Sequence, residues 1–125
     1  MRQLISSGSP WEGPVGYSRA VRVGNLVEVA GTTAMDGDVV TGTDAYSQTR
    51  RVLAKIAEAL GQAGAGLEHV VRTRIFVTDI GQWPEVGRAH GEVFGNIRPA
   101  SSMLEVRALI DDRLLVEIEA TAVIS

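Results

Sequence analysis

The sequence predicts an α+β fold in which two helices cover one face of a single mixed β-sheet. Runs rich in β-branched residues occur at residues 21–33, 70–79 and 114–124, and two stretches with apolar residues three and four positions apart lie between them. The predicted order is hairpin, helix, strand, helix and two strands, which lets both helices pack on the same face of the sheet. We expect residues 1–125 to form one domain.

The first predicted element is a hairpin. Residues 21–33 contain two strand-like segments on either side of Gly24 and Asn25, and both of these residues tolerate a positive φ. A second turn is predicted at residues 36–38, which read Asp-Gly-Asp, because these residue types favour tight turns.

Two helices are predicted from capping residues and spacing. Asp44 is suited to cap a helix that begins near Ala45 and continues for about 17 residues, until glycines from residue 61 onward end it. The apolar stripe of this helix consists of Val52, Leu53, Ile56 and Leu60. A second helix is predicted from Trp83-Pro84 to about Gly95, because proline is favoured in the first turn.

Three further strands complete the predicted sheet. Residues 70–79 form the first, and residues 102–109 and 114–124 form the last two, joined by a turn at residues 111–113. Alternation along the first of these strands places Val71, and every second residue after it, on the helix-covered face.

The face of the sheet away from the helices is predicted to carry charged residues among apolar ones. Alternation places Arg72 and Arg74 on it, and it also places Glu117 and Glu119 there. Two interpretations remain open. Either this face is exposed to solvent, or it is an interface between copies of the chain in which one of the arginines pairs with Glu105, Glu117 or Glu119.

Composition disfavours a nucleic-acid or membrane partner. The net charge is −3 and Lys55 is the single lysine, whereas phosphate backbones select for clustered basic residues. No apolar run approaches the ~18 residues of a membrane span, and the first residues lack the apolar segment of a secretory signal. Because cysteine is absent, disulfides and thiolate sites are excluded. We expect a cytoplasmic protein.

Several segments together resemble one protein family. The segment Gly-Tyr-Ser-Arg-Ala-Val at residues 16–21 is similar to its opening Gly-Pro-Tyr-Ser-Gln-Ala-Val, and Pro-Ala-Ser at residues 99–101 is similar to its Pro-Ala-Arg. Further similarity lies at residues 27–31, 77–80 and 116–120. The family is that of the RidA (YjgF-like) imine and enamine deaminases. The resemblance implies a chorismate-mutase-like subunit that assembles as a homotrimer and binds small molecules at the subunit interfaces.

The resemblance also implies a pocket. Its positions correspond to Tyr17, Gly31, Gly87, Ser101, Met103 and Glu117. In the family, the glutamate at the position of Glu117 helps to place the attacking water, so Glu117 is the predicted catalytic residue. Ser101 replaces the arginine that binds the substrate carboxylate, Gly87 replaces a pocket asparagine, and Met103 stands where cysteine is frequent.

The residue at position 101 bears on the substrate. A serine hydroxyl forms one hydrogen bond without charge and does not replace the bidentate fork of a guanidinium. We therefore expect simple 2-imino acids to be poor substrates. The alternative is that Arg98, Arg19 or Arg74 supplies the missing charge.

The second predicted helix carries glycines on one stripe. Gly87, Gly91 and Gly95 are four residues apart, and each costs roughly 1 kcal/mol relative to alanine in a helix. We therefore expect another chain, the sheet or a ligand to approach the backbone closely there. His90, beside this stripe, is predicted to be partly buried and hydrogen-bonded, with a proton shuttle in the pocket as the alternative.

No metal or cofactor is expected. His90 and Glu92 are two residues apart and face different directions on a helix, and the sequence contains no metal-ligand spacing or phosphate loop. Three functions remain open: hydrolysis of a small imine, an enamine or a related reactive metabolite; small-molecule binding by a trimer without chemistry; and ribonuclease or translation inhibition, which the low basicity disfavours.

Overall fold

A six-stranded mixed sheet organises the chain, whose computed structural model describes residues 2–125. Across the sheet the order is β1, β2, β3, β8, β6, β7, and all neighbours are antiparallel except β6 and β7. The strands of this sheet are β1 (Arg2–Ile5), β2 (Ala20–Val23), β3 (Leu26–Thr32), β6 (Val70–Val77), β7 (Ala100–Glu105) and β8 (Val116–Val123). The predicted α+β fold with one mixed sheet is therefore confirmed.

A small separate hairpin lies between β3 and the first long helix. It consists of β4 (Met35–Asp36) and β5 (Val39–Val40), which pair in antiparallel fashion. Gly37 in its turn has a φ of 62°, a conformation that glycine adopts without steric cost. The turn predicted at residues 36–38 is thus confirmed.

Two helices, α2 (Ala45–Gln62) and α3 (Trp83–Phe94), pack on one face of the sheet. Asp44 caps α2 as predicted, because its side chain accepts a hydrogen bond of 2.7 Å from the backbone N–H of Ser47. The stripe of α2 is fully buried against β3 and β8, and burying each such apolar side chain contributes about 1.5–3 kcal/mol. No helix in residues 2–125 combines the length and apolar character needed to cross a membrane.

Two short elements near the N-terminus were not predicted. They are β1 and the single-turn helix α1 (Glu12–Val15). Elements of four residues carry too little periodicity to be recognised from the sequence pattern.

Two β-bulges interrupt the alternation of side chains. In β6 the register shifts between Val70 and Arg72, so that Val70 is 3% exposed and Val71 is 47% exposed. The prediction that Val71 faces the helices is therefore wrong, because the extra residue of a bulge reverses the alternation locally. A second shift lies in β3 and includes Gly31.

The last two strands differ from their predicted bounds and are not neighbours. The strand predicted at residues 102–109 begins two residues earlier and already ends at Glu105, and the one predicted at residues 114–124 is β8. β7 forms the edge of the sheet and pairs in parallel with β6, whereas β8 lies between β3 and β6.

Candidate functional site

Glu117 projects from the open face, the face of the sheet that α2 and α3 leave uncovered. Its neighbours along β8, Val116 and Ile118, are fully buried on the helix side, so alternation directs Glu117 to the opposite side. Glu119 shares this face, and one of its carboxylate oxygens lies 3.7 Å from Nη1 of Arg74. The predicted arginine–glutamate pair therefore forms within one chain.

Gly31 forms the floor beneath the Glu117 carboxylate. A Cβ added at Gly31 would overlap Oε2 of Glu117 and lie 3.0 Å from its Cδ. The bulge in β3 brings this glycine opposite β8, and the missing side chain leaves the space that the carboxylate fills. Gly31 thus sets where the carboxylate rests.

Burial raises the pKa of Glu117 above the ordinary glutamate value. The nearby charge of Arg19 opposes this shift, and the negative charge of Glu119 adds to it. Desolvation penalises the charged form of a carboxyl group, so the pKa moves toward neutral pH, where general bases work best.

Arg19 holds the backbone of the site in place at Gly31. Its Nη1 donates hydrogen bonds of 3.0 Å to the carbonyl oxygen of Gly31 and to Oγ1 of Thr32. Its Nε is buried without a hydrogen-bond partner among residues 2–125. Its guanidinium carbon lies 5.9 Å from the ring centre of Tyr17, so Arg19 connects Tyr17 to the Gly31–Glu117 contact.

A wide, open cavity of about 730 Å³ extends over the same face. Tyr17, Ala30, Arg74 and Glu119 are among its lining residues. Tyr17 lines this cavity, and the contacts of Arg19 join Tyr17 to Gly31 and Glu117 beside it. We call these four residues the carboxylate wall: Tyr17, Arg19, Gly31 and Glu117.

A second group of predicted residues lies on the helix side of the sheet, at its β7 edge. Thr73 of β6 is fully buried, and its Oγ1 lies 2.8 Å from Oγ of Ser101 and 2.9 Å from Nε2 of His90. Burial lowers the pKa of His90, which favours the neutral imidazole. We call Thr73, His90 and Ser101 the hydroxyl wall.

Met103 and Gly87 accompany the hydroxyl wall. Met103, two residues after Ser101 on β7, packs against the hydrophobic core. A Cβ at Gly87 would meet only the Trp83 ring, at 3.9 Å, and one at Gly91 would meet nothing within 4 Å. The sheet therefore does not closely approach Gly87 or Gly91, and a Cβ at Gly95 would meet the carbonyl oxygen of Gly91 at 2.7 Å. A close approach by another chain or a ligand stays a prediction.

The two walls lie on opposite faces of the sheet, so the predicted pocket residues do not converge within one chain. Thr73 was not predicted as a site residue from the sequence. The available signal was a polar residue on a core-facing position, where a hydrogen-bond partner is expected. Arg19 was considered only as a source of charge, because its contact with Gly31 depends on the pairing of β2 with β3.

The described part of the chain contains no cluster of potential metal ligands. Within residues 2–125, no three His, Cys, Asp or Glu side chains come together closely enough to hold a metal ion. Glu117, whose pKa is raised by burial, can act as a general base, and the hydroxyl wall can form hydrogen bonds.

Comparison with known families gives one match over most of the chain. The family model described as Endoribonuclease L-PSP matches residues 12–124. A crystal structure of a Mycobacterium tuberculosis protein, described as a member of the YjgF/YER057c/UK114 family, is 58% identical, with a TM-score of 0.92, and the match covers 99% of this chain and 100% of that one.

Two curated relatives are also similar. An uncharacterized protein from Streptomyces coelicolor is 44% identical over 94% of this chain and 89% of its own length. The 3-aminoacrylate deaminase RutC of Acinetobacter baylyi is 35% identical over 85% of both chains.

Proposed function

This chain belongs to the Endoribonuclease L-PSP (YjgF/RidA) family, and from that premise we propose that it is a cofactor-free deaminase that hydrolyses a small imine or enamine. The observation that carries the proposal is the partly buried Glu117 carboxylate, held over Gly31 with a raised pKa. The relative named 3-aminoacrylate deaminase supports the reaction class.

The reaction requires one group that accepts a proton and one face that holds the substrate. Glu117 takes a proton from water as the oxygen bonds to the C=N carbon, which gives a carbinolamine. The carbinolamine is complete once Glu117 returns this proton to nitrogen. A second proton then moves from the carbinolamine hydroxyl to nitrogen, the C–N bond breaks, and ammonia leaves as the carbonyl forms. Water is the only co-reactant, and an enamine enters the same route as its imine tautomer.

A homotrimer would bring the two walls into one cleft. Because the walls lie on opposite faces of one chain, a cleft that uses both must take them from two copies. The open face is also apolar enough to be covered. Its exposed apolar side chains are 42–61% exposed and comprise Leu4, Val23, Leu26, Leu104 and Val123.

Ribonuclease activity, which the family description names, has weaker support. The net charge is −3 and the basic residues are dispersed, whereas RNA binding depends on basic surface. A small-molecule binding protein without chemistry differs from the proposed enzyme only in turnover, so a kinetic test separates the two.

The test compares Glu117→Gln with Glu119→Gln, a matched change on the same strand and face. Two imines are generated in situ: uncharged benzylimine by a flavin amine oxidase and 2-iminopropionate by an amino acid oxidase, with carbonyl release as the readout. We expect acceleration by the parent, a loss of about 10²-fold or more in Glu117→Gln, and little change in Glu119→Gln. If imine hydrolysis proceeded at the same rate with and without the parent protein, the deaminase proposal would be wrong and small-molecule binding would be the remaining function.

A further inference from the structure

The hydroxyl wall forms a continuous chain of hydrogen bonds from a partly buried imidazole to an exposed hydroxyl. His90 lies at one end, Thr73 in the middle and Ser101 at the exposed end. Thr73 is completely buried, so leaving its single hydroxyl proton unbonded would cost stability. That proton must point either to Ser101 or to His90.

These two choices determine what Ser101 presents to a ligand. When Nε2–H of His90 donates to Thr73 and Thr73 donates to Ser101, the Ser101 hydroxyl proton is free to be donated outward. When the chain runs the other way, Ser101 donates to Thr73, Thr73 donates to an unprotonated Nε2, and Ser101 offers only lone pairs. A neutral imidazole permits both arrangements, because its two tautomers exchange the donor and acceptor nitrogens.

We infer that the hydroxyl wall binds an uncharged polar group of the ligand, such as a carboxamide, an ester or a hydroxyl, and that His90 is a positioning residue that sets the direction of the hydrogen bond. A single neutral hydroxyl satisfies such a group as donor or as acceptor. A carboxylate at this position would lose hydration and gain one neutral hydrogen bond, which is poor compensation for an anion.

The inference deepens the proposed function, because it names the substrate class as imines without a carboxylate at this position. The effect of burial on the pKa of His90 supports it, since a charged imidazolium would allow only the outward-donating arrangement. The test uses unreactive carbonyl analogues, so that its result does not depend on turnover.

The first measurement is the binding of pyruvamide and pyruvate, which differ only in the carboxamide and the carboxylate, by calorimetry or NMR titration. The parent is expected to bind pyruvamide at least about tenfold more tightly. Ser101→Ala should weaken the binding of pyruvamide, because its polar group then loses its hydrogen bond, and Ser101→Arg should reverse the preference. Ser102→Ala is the matched control, because Ser102 lies on the other face of β7 and contacts Arg72; it should leave the preference unchanged.

The second measurement follows the tautomer of His90 by ¹⁵N NMR. Methyl pyruvate is uncharged and only accepts hydrogen bonds. When it is bound, Ser101 should donate to it, Thr73 should donate to Ser101, and the fraction of the Nε2–H tautomer of His90 should increase. The same ligand should cause no such change in Ser101→Ala. A purely structural histidine would not respond in the parent.

The outcomes separate the two levels of the proposal. Preferred binding of pyruvamide that weakens in Ser101→Ala, without imine turnover, would contradict the deaminase but support the hydroxyl wall. Tighter binding of pyruvate by the parent, binding of neither analogue, or a tautomer of His90 that ignores methyl pyruvate would each overturn the inference.

Discussion

Replacing Gly31 by alanine should displace Glu117 while leaving the fold intact. Gly31 does not have a positive φ, so alanine adopts the same backbone without strain. The added Cβ would lie 3.0 Å from Cδ of Glu117 and 3.4 Å from its Cγ. Carbon atoms pack best at about 3.5–4.0 Å, so Cδ must move by roughly 0.5–1 Å. Oε2, which the added Cβ would overlap, must move further.

A shift of this size is large for a catalytic base. Misplacement by about 1 Å costs on the order of 10²-fold in rate, which corresponds to about 2.7 kcal/mol of transition-state stabilisation. The stability cost is expected to be small, about 1 kcal/mol, because the partly exposed end of Glu117 has room to move.

The assay is kcat/KM for benzylimine hydrolysis together with the free energy of unfolding. Gly61→Ala in α2 is the matched control, because a Cβ there meets nothing within 4 Å. That variant should keep full activity and gain up to ~1 kcal/mol of stability. If Gly31→Ala retained activity within about twofold, the position of Glu117 would not matter and the assignment of its role would be wrong.

Three further predictions follow from the charges and surfaces of the site. Burial raises the folded-state pKa of Glu117, so the contribution of Glu117 to stability is present at low pH and is lost as pH rises through that pKa. Urea unfolding should therefore show Glu117→Gln to be more stable than the parent above neutral pH, but not below the ordinary glutamate pKa. Because the charge of Arg19 lowers the pKa of Glu117, Arg19→Gln should move the acid limb of the pH profile of kcat/KM to higher pH, and Arg19→Lys should largely restore it. An unchanged acid limb in Arg19→Gln would contradict the effect of Arg19 on the pKa of Glu117. Val123→Lys on the open face should dissociate the proposed homotrimer in sedimentation, whereas Val39→Lys, on the β4–β5 hairpin, should not. An unchanged sedimentation of Val123→Lys would mean that the open face is exposed to solvent and is not an interface.

Most of the fold could be predicted from local patterns of apolar residues in the sequence. The apolar stripe at three and four spacing located α2, and strict alternation correctly divided Glu117 and Glu119 from the core residues of β8. The same rule failed at Val71, because a bulge in β6 depends on how that strand pairs with β8. Alternation is local information, whereas a bulge is a property of two strands.

The site was less accessible to sequence reasoning for the same reason. The bond between Thr73 and Ser101 exists because β6 and β7 pair in parallel, and that pairing joins residues 28 positions apart. The contact of Gly31 with Glu117 likewise requires the pairing of β3 with β8 and the bulge in β3. Resemblance to a family indicated Ser101, Gly31 and Glu117, but neither Thr73 nor which of these residues share a face.

The central claim, a cleft built from the carboxylate wall of one copy and the hydroxyl wall of another, is tested most directly by subunit mixing. Glu117→Gln disables one wall, and Ser101→Trp blocks the other. When the two inactive variants are unfolded together and refolded at equal amounts, roughly one quarter of the clefts should combine two intact walls. We predict that about this fraction of the parent's benzylimine hydrolysis returns. If the mixture is no more active than the two variants measured separately, the cleft does not join two copies and the claim is contradicted.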